Sequence, residues 1–74
     1  MGKETQITFM QARIVRLATQ EWGLSMHAVN ALFQKYGIYA YIEKFWDLFH
    51  IEGDFAVLDD VRQYLEKKGA VIGQ

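Results

Sequence analysis

The sequence predicts an all-α fold: a compact four-helix domain with its third helix central and a short apolar C-terminal tail. Apolar residues recur with the helical period in four successive stretches. Glycines at 23, 37 and 69 stand just beyond three of those stretches, where a helix wants a residue that takes positive φ. No proline interrupts any of them.

The first helix is expected from Gln6 to Trp22, with Thr5 as N-cap, because its hydroxyl can accept from an orphan N–H. Its apolar stripe is Ile7, Met10, Ile14, Leu17 and Ala18, with Trp22 at the rim, and Gly23 stops it. Phe9 falls off the stripe, with Arg13, Arg16 and Gln20 on the opposite side. The second helix follows Ser25 as N-cap and ends at Tyr36, before Gly37. Val29, Leu32, Phe33 and Tyr36 form its apolar face; His27, Asn30, Gln34 and Lys35 form its polar one. The third segment, 38–50, carries apolar residues over half its circumference, so it must touch more than one neighbour or form a subunit interface. Residues 51–54 read as a turn, with Gly53 supplying conformational freedom. The last helix is expected from Val57 or Leu58 to Lys68. Val57, Leu58, Val61, Tyr64 and Leu65 make its stripe, Asp59 and Asp60 suit its N-terminal end, and Lys67 and Lys68 its C-terminal end. Ala70, Val71 and Ile72 are expected to fold back on it. The domain therefore spans 6–72, after a disordered stretch 1–5.

The 74 residues include 8 basic and 9 acidic side chains, 11 aromatics and no cysteine. That length holds one domain, burying only about 60% of its unfolded surface. Without cysteine, neither a disulfide nor a thiolate metal site is available. The net charge of −1 lacks the basic surplus that replaces condensed counterions on a duplex, so nucleic acid is disfavoured as a partner. Residues 1–6 contain no apolar core of a signal peptide, and Gln6 stands where a myristoylation motif needs Ser or Thr. No apolar run reaches membrane-spanning length. A soluble cytoplasmic protein is expected.

The stretch His50-Ile51-Glu52-Gly53-Asp54, with Asp59 and Asp60 close behind, collects metal-ligand types, yet its spacing fits neither His-Glu-x-x-His nor an EF-hand loop. His50 is better read as a cap on the preceding helix C-terminus. Paired with Asp54 or Asp59 it would make a general base and its orienter, but no oxyanion donor, phosphate loop or serine elbow accompanies them. No catalytic, cofactor or metal residue and no small-molecule substrate is therefore expected. A helix-turn-helix reading attaches to Ser25–Phe49. Its recognition helix, Tyr39–Phe49, would carry one lysine and two acids, with little to offer phosphates or guanine edges. What remains is the aromatic surplus. Phe9, Tyr39 and Phe55 lie outside the stripes, and clustered exposed aromatics mark interfaces. The candidate interaction surface comprises Phe9, Arg13, Arg16, Tyr39, His50 and Phe55.

The segment Tyr41-Ile42-Glu43, the run Leu48-Phe49-His50-Ile51-Glu52-Gly53-Asp54-Phe55-Ala56-Val57-Leu58-Asp59-Asp60-Val61, then Tyr64-Leu65 and Lys68-Gly69, resembles the C-terminal half of the small bacterial domain of unknown function 3791. Upstream, Ala12-Arg13-Ile14-Val15-Arg16-Leu17, Phe33 and Tyr36-Gly37 fit as well, so the resemblance runs from about Phe9 to Val71. Phe55 departs from it, standing where the family pattern suggests a polar or acidic residue. The resemblance implies no assigned activity. It also implies gene neighbours that look like ADP-ribosyltransferases, and hence an antitoxin-like or accessory partner protein. The combined expectation is a non-enzymatic bacterial protein–protein interaction module, an antitoxin-like or accessory partner that binds another protein or a second copy of itself; the alternative is a helix-turn-helix DNA-binding regulator.

Overall fold

The computed structural model describes residues 2–72. Five helices follow one another: α1 (Lys3–Trp22), α2 (Met26–Lys35), α3 (Ile38–Lys44), α4 (Trp46–Phe49) and α5 (Asp54–Lys67). No strand occurs among the described residues. The accessible surface is 4696 Å², matching the roughly 4,700 Å² that size scaling gives for a folded monomer of this mass.

Helix α1 begins at Lys3, not Gln6, so Lys3, Glu4 and Thr5 are helical rather than part of a disordered stretch; Met1 of that stretch lies outside the described residues. Gly2, in extended conformation, takes the N-cap position expected of Thr5, and makes no side-chain cap. Glu4 in the first turn favours the earlier start, since a carboxylate offsets the dipole there. The stripe is as expected except that Val15 is buried and Leu17 only half-buried. Gly23 (φ 67°) closes the helix, its N–H donating to Thr19 O. Helix α2 is capped as predicted, Ser25 Oγ accepting from the Ala28 N–H at 3.0 Å.

The third segment bends. In a straight helix Ile38, Ile42, Phe45 and Phe49 would share one line. Instead Phe45 leaves helical geometry (φ −104°, ψ 16°), separating α3 from the single turn α4. Phe45 is left 37% exposed, while the other three are buried. The bend is not a full break, because the Phe49 N–H still donates to Phe45 O at 2.8 Å. The segment packs on α1 and α2, and through Tyr41 reaches α5, as its broad apolar face requires. It shares the centre with α1, which packs on α2, α3 and α5.

Helix α5 starts at Asp54, a full turn before Val57, because Gly53 supplies an extended N-cap and Asp54 a first-turn carboxylate. Asp59 and Asp60 consequently lie in its second turn. At the far end the Ala70 N–H donates to Leu65 O at 3.0 Å, with Gly69 at φ 90°. This closure folds Ala70 and Ile72 onto the core, whereas Val71 points outward.

The core is all apolar, with no buried polar or charged residue among those described. Its largest enclosed side chains are Phe33 and Phe49. Around it stands a ring of half-buried aromatics. Tyr41 stacks on Tyr64 (4.2 Å between centroids, 21°) and donates from its hydroxyl to Asp60 Oδ1 at 2.5 Å. Burial first, then that bond and the neighbouring charge, push the Tyr41 pKa well above its ordinary value; burial alone raises that of Tyr39. Both phenols therefore stay neutral in the folded chain at pH values where the unfolded chain ionises them. The stability they contribute is complete below about pH 10 and is lost as the pH climbs from there through the folded-state values. Urea midpoints are expected to fall as the pH rises above about 10. Tyr41→Phe should flatten that limb, and an unchanged slope would contradict the assignment.

Candidate functional site

Helix α1 presents its outer ridge between two hollows, and the candidate residues divide among three places around it. The largest is a cleft of about 560 Å³ over α1, α2 and α3. Arg16 and Tyr39 belong to it. Tyr39 is half-buried, as a wall of the fold and not a free aromatic. Its ring meets Phe33 edge to face at 5.5 Å. Its hydroxyl donates to Asn30 Oδ1 at 2.6 Å, and its carbonyl accepts from Gln11 Nε2 at 2.9 Å. Those two bonds tie α3 to α2 and to α1, fixing the cleft's shape.

A second hollow of about 250 Å³ gathers Phe9, Arg13 and His50 with Trp46. Phe9 is 49% exposed. Arg13 Nε donates to Asp54 Oδ2 at 3.1 Å, linking α1 to the start of α5. Both groups are well exposed, so this pair contributes under about 1 kcal/mol. Urea unfolding of Arg13→Ala is expected to show a loss of that size, shrinking further in salt. His50 stacks on Trp46 (4.3 Å, 10°). Its Nδ1 lies 2.9 Å from Trp46 O, to which a protonated Nδ1 donates. The cap expected of His50 is thus present, on the carbonyl of α4's first residue. Lys3 sits over the same indole at 5.5 Å and pairs with Asp47 at 3.3 Å.

Phe55 stands apart. It is 65% exposed and borders a hollow of about 330 Å³ with Trp22, Leu58 and Arg62. The six candidates are therefore not one surface. Arg13 and Arg16 flank the same ridge but open onto different hollows, because α2 and α3 cover one side of α1 and α4 and α5 the other.

Glu52 is exposed, and the three aspartates near the turn are committed elsewhere. Asp54 holds Arg13, and Asp60 accepts from Tyr41. Asp59 accepts from Arg62 at 2.6 Å and Gln63 at 2.7 Å, and these bonds hold it below the usual carboxylate range. Among the described residues no three His, Asp or Glu side chains gather where they would hold a metal ion. The second helix of the helix-turn-helix reading is the seven-residue α3, whose exposed positions are Ala40, Glu43 and Lys44.

Met26, His27 and Asn30 were not among the sequence candidates, yet they form the cleft's far wall. The legible signal was on α1, where Thr8, Gln11, Ala12, Val15 and Arg16 repeat at helical spacing beside the core stripe. The wall opposite them depends on how α2 crosses.

A family model described as "Protein of unknown function (DUF3791)" matches residues 9–68 of the chain. No curated protein and no solved structure matches it.

Proposed function

The chain belongs to the DUF3791 family of proteins of unknown function, and from that premise we propose that it is a non-enzymatic bacterial protein–protein interaction module. It works in the cytoplasm as an antitoxin-like or accessory partner of a neighbouring gene product, and it is able to self-associate. The observation that carries this reading is the apolar surface left over once the core is complete. Phe9, Met26, Leu48, Ile51 and Phe55 are each about half exposed or more, at 49%, 56%, 52%, 74% and 65%. Single exposed apolar residues need no explanation, but apolar side chains bordering concave surface suit a protein partner. Phe9, Met26 and Phe55 each border a different hollow.

Co-expression with the product of the adjacent gene is expected to give a complex that survives size-exclusion chromatography. Light scattering at micromolar concentration reads self-association separately. Absence of any complex, together with a strictly monomeric chain, would sink the proposal.

A further inference from the structure

The cleft over α1 and α2 is open along its length on α1. Its floor is a stripe on α1 at spacing i, i+3, i+4, i+7, i+8: Thr8, Gln11, Ala12, Val15 and Arg16. That is just over two turns, about 12 Å of helix axis. Ala12 stands near its middle with only a methyl group, so a further helix axis can approach to roughly 8 Å. The far wall is Met26, whose unbranched, polarizable side chain adapts to an irregular neighbour.

The rim specifies charge. Arg16 and His27 border the cleft, and no carboxylate does. Arg13 and Arg62 are both ion-paired, whereas the Arg16 guanidinium makes no ion pair or hydrogen bond among the described residues. Asn30 spends its Oδ1 on the Tyr39 hydroxyl, which leaves its amide N–H groups to donate. The Arg16 guanidinium is thus a donor group without an acceptor, beside the apolar surface of Ala12, Val15 and Met26.

We infer that this groove takes one amphipathic helix of a protein partner, laid along α1, its apolar face on Val15 and Met26 and a carboxylate against Arg16. The assignment rests on the interaction-module reading and adds the partner's chemistry: an acidic helix, bound in the helix-in-groove mode. Arg16 is the specificity-determining residue, since its fork matches a carboxylate.

The test is a nitrogen-15 NMR titration of the full chain with stapled amphipathic peptides of about 14 residues, the staple holding a helix too short to persist alone. The three peptides share a leucine face and differ in carrying glutamate, glutamine or lysine beside it. The glutamate peptide is expected to shift the amides of residues 8–16 and 26–30 and to bind about tenfold tighter than the glutamine peptide, a modest coupling for a charge-assisted contact. The lysine peptide should bind weakest. Arg16→Gln, an exposed substitution checked for folding by circular dichroism, should erase the glutamate preference, bringing the glutamate and glutamine peptides to the same affinity. The inference is overturned by equal affinities, by shifts centred on Phe9 or Phe55, or by a preference that survives Arg16→Gln. Decanoate matching the glutamate peptide would reassign the groove to small amphiphiles, and the same shifts appearing with protein concentration alone would reassign it to a second copy. A partner captured by co-expression while the peptides bind elsewhere would leave the module reading intact and remove only the groove assignment.

Discussion

Phe33→Ala is expected to cost the domain about 3–5 kcal/mol, the range for truncating a fully enclosed aromatic. Phe33 is entirely buried, and its ring meets Trp22 edge to face at 6.3 Å and Tyr39 at 5.5 Å. Truncation removes the apolar burial, both ring contacts and the support beneath the bond from Tyr39 to Asn30. A chain of this length has a total stability of roughly 4–11 kcal/mol, so the loss takes from about a quarter to all of it. Urea denaturation followed by far-ultraviolet circular dichroism measures the loss. Phe9→Ala is the matched control, expected to change stability by about 0.5 kcal/mol or less because that ring is half exposed. Comparable losses at Phe9 and Phe33 would contradict the division between core and surface aromatics.

Gly37→Val is expected to cost about 2 kcal/mol, for a different reason. Gly37 adopts φ 67°, ψ 33°, ending α2 and starting α3. A Cβ built there would meet nothing within 4 Å, so the penalty is one of backbone conformation and not of space. β-Branched residues tolerate the left-handed region worst, while asparagine is among the side chains that visit it. The order of stability should therefore be glycine, then asparagine, then alanine, then valine. An asparagine variant less stable than the alanine one would show that something other than φ governs the position. Because Gly37 sets how α3 leaves α2, the destabilised variants should also loosen the cleft wall at Tyr39.

Much of the fold was legible because helical periodicity is a local property. The stripe Ile7, Met10, Ile14 and Ala18, the cap at Ser25 and the stops at Gly23, Gly37 and Gly69 each depend on residues a few positions apart, and each is present. The errors lie where local signals were weak or absent. Thr5 looked like an N-cap, but Gly2 and Gly53 cap α1 and α5 with extended backbone alone, which leaves no side-chain signature. The bend at Phe45 carries no local marker, since neither proline nor glycine stands there. Tyr39 seemed surplus because Asn30 and Gln11, which give it a structural place, are distant in sequence from any motif containing it.

The candidate site was legible residue by residue but not as a surface. Helical spacing put Arg13 and Arg16 on the outer ridge of one helix, and it correctly left Phe9 and Phe55 outside the core. It could not say that Arg13 would be neutralised by Asp54, or that Arg16 would stand unpaired over a cleft with His27. The sequence by itself determined four helical stretches, the glycine stops after three of them and which face of each turns inward, because those depend on backbone geometry and apolar period within a few turns; it did not determine where α1 and α5 start or that the third stretch breaks at Phe45. Only the tertiary structure decided which outward residues meet. Such neighbours come from different helices, and the distance between them is set by crossing and packing, which no single helix encodes.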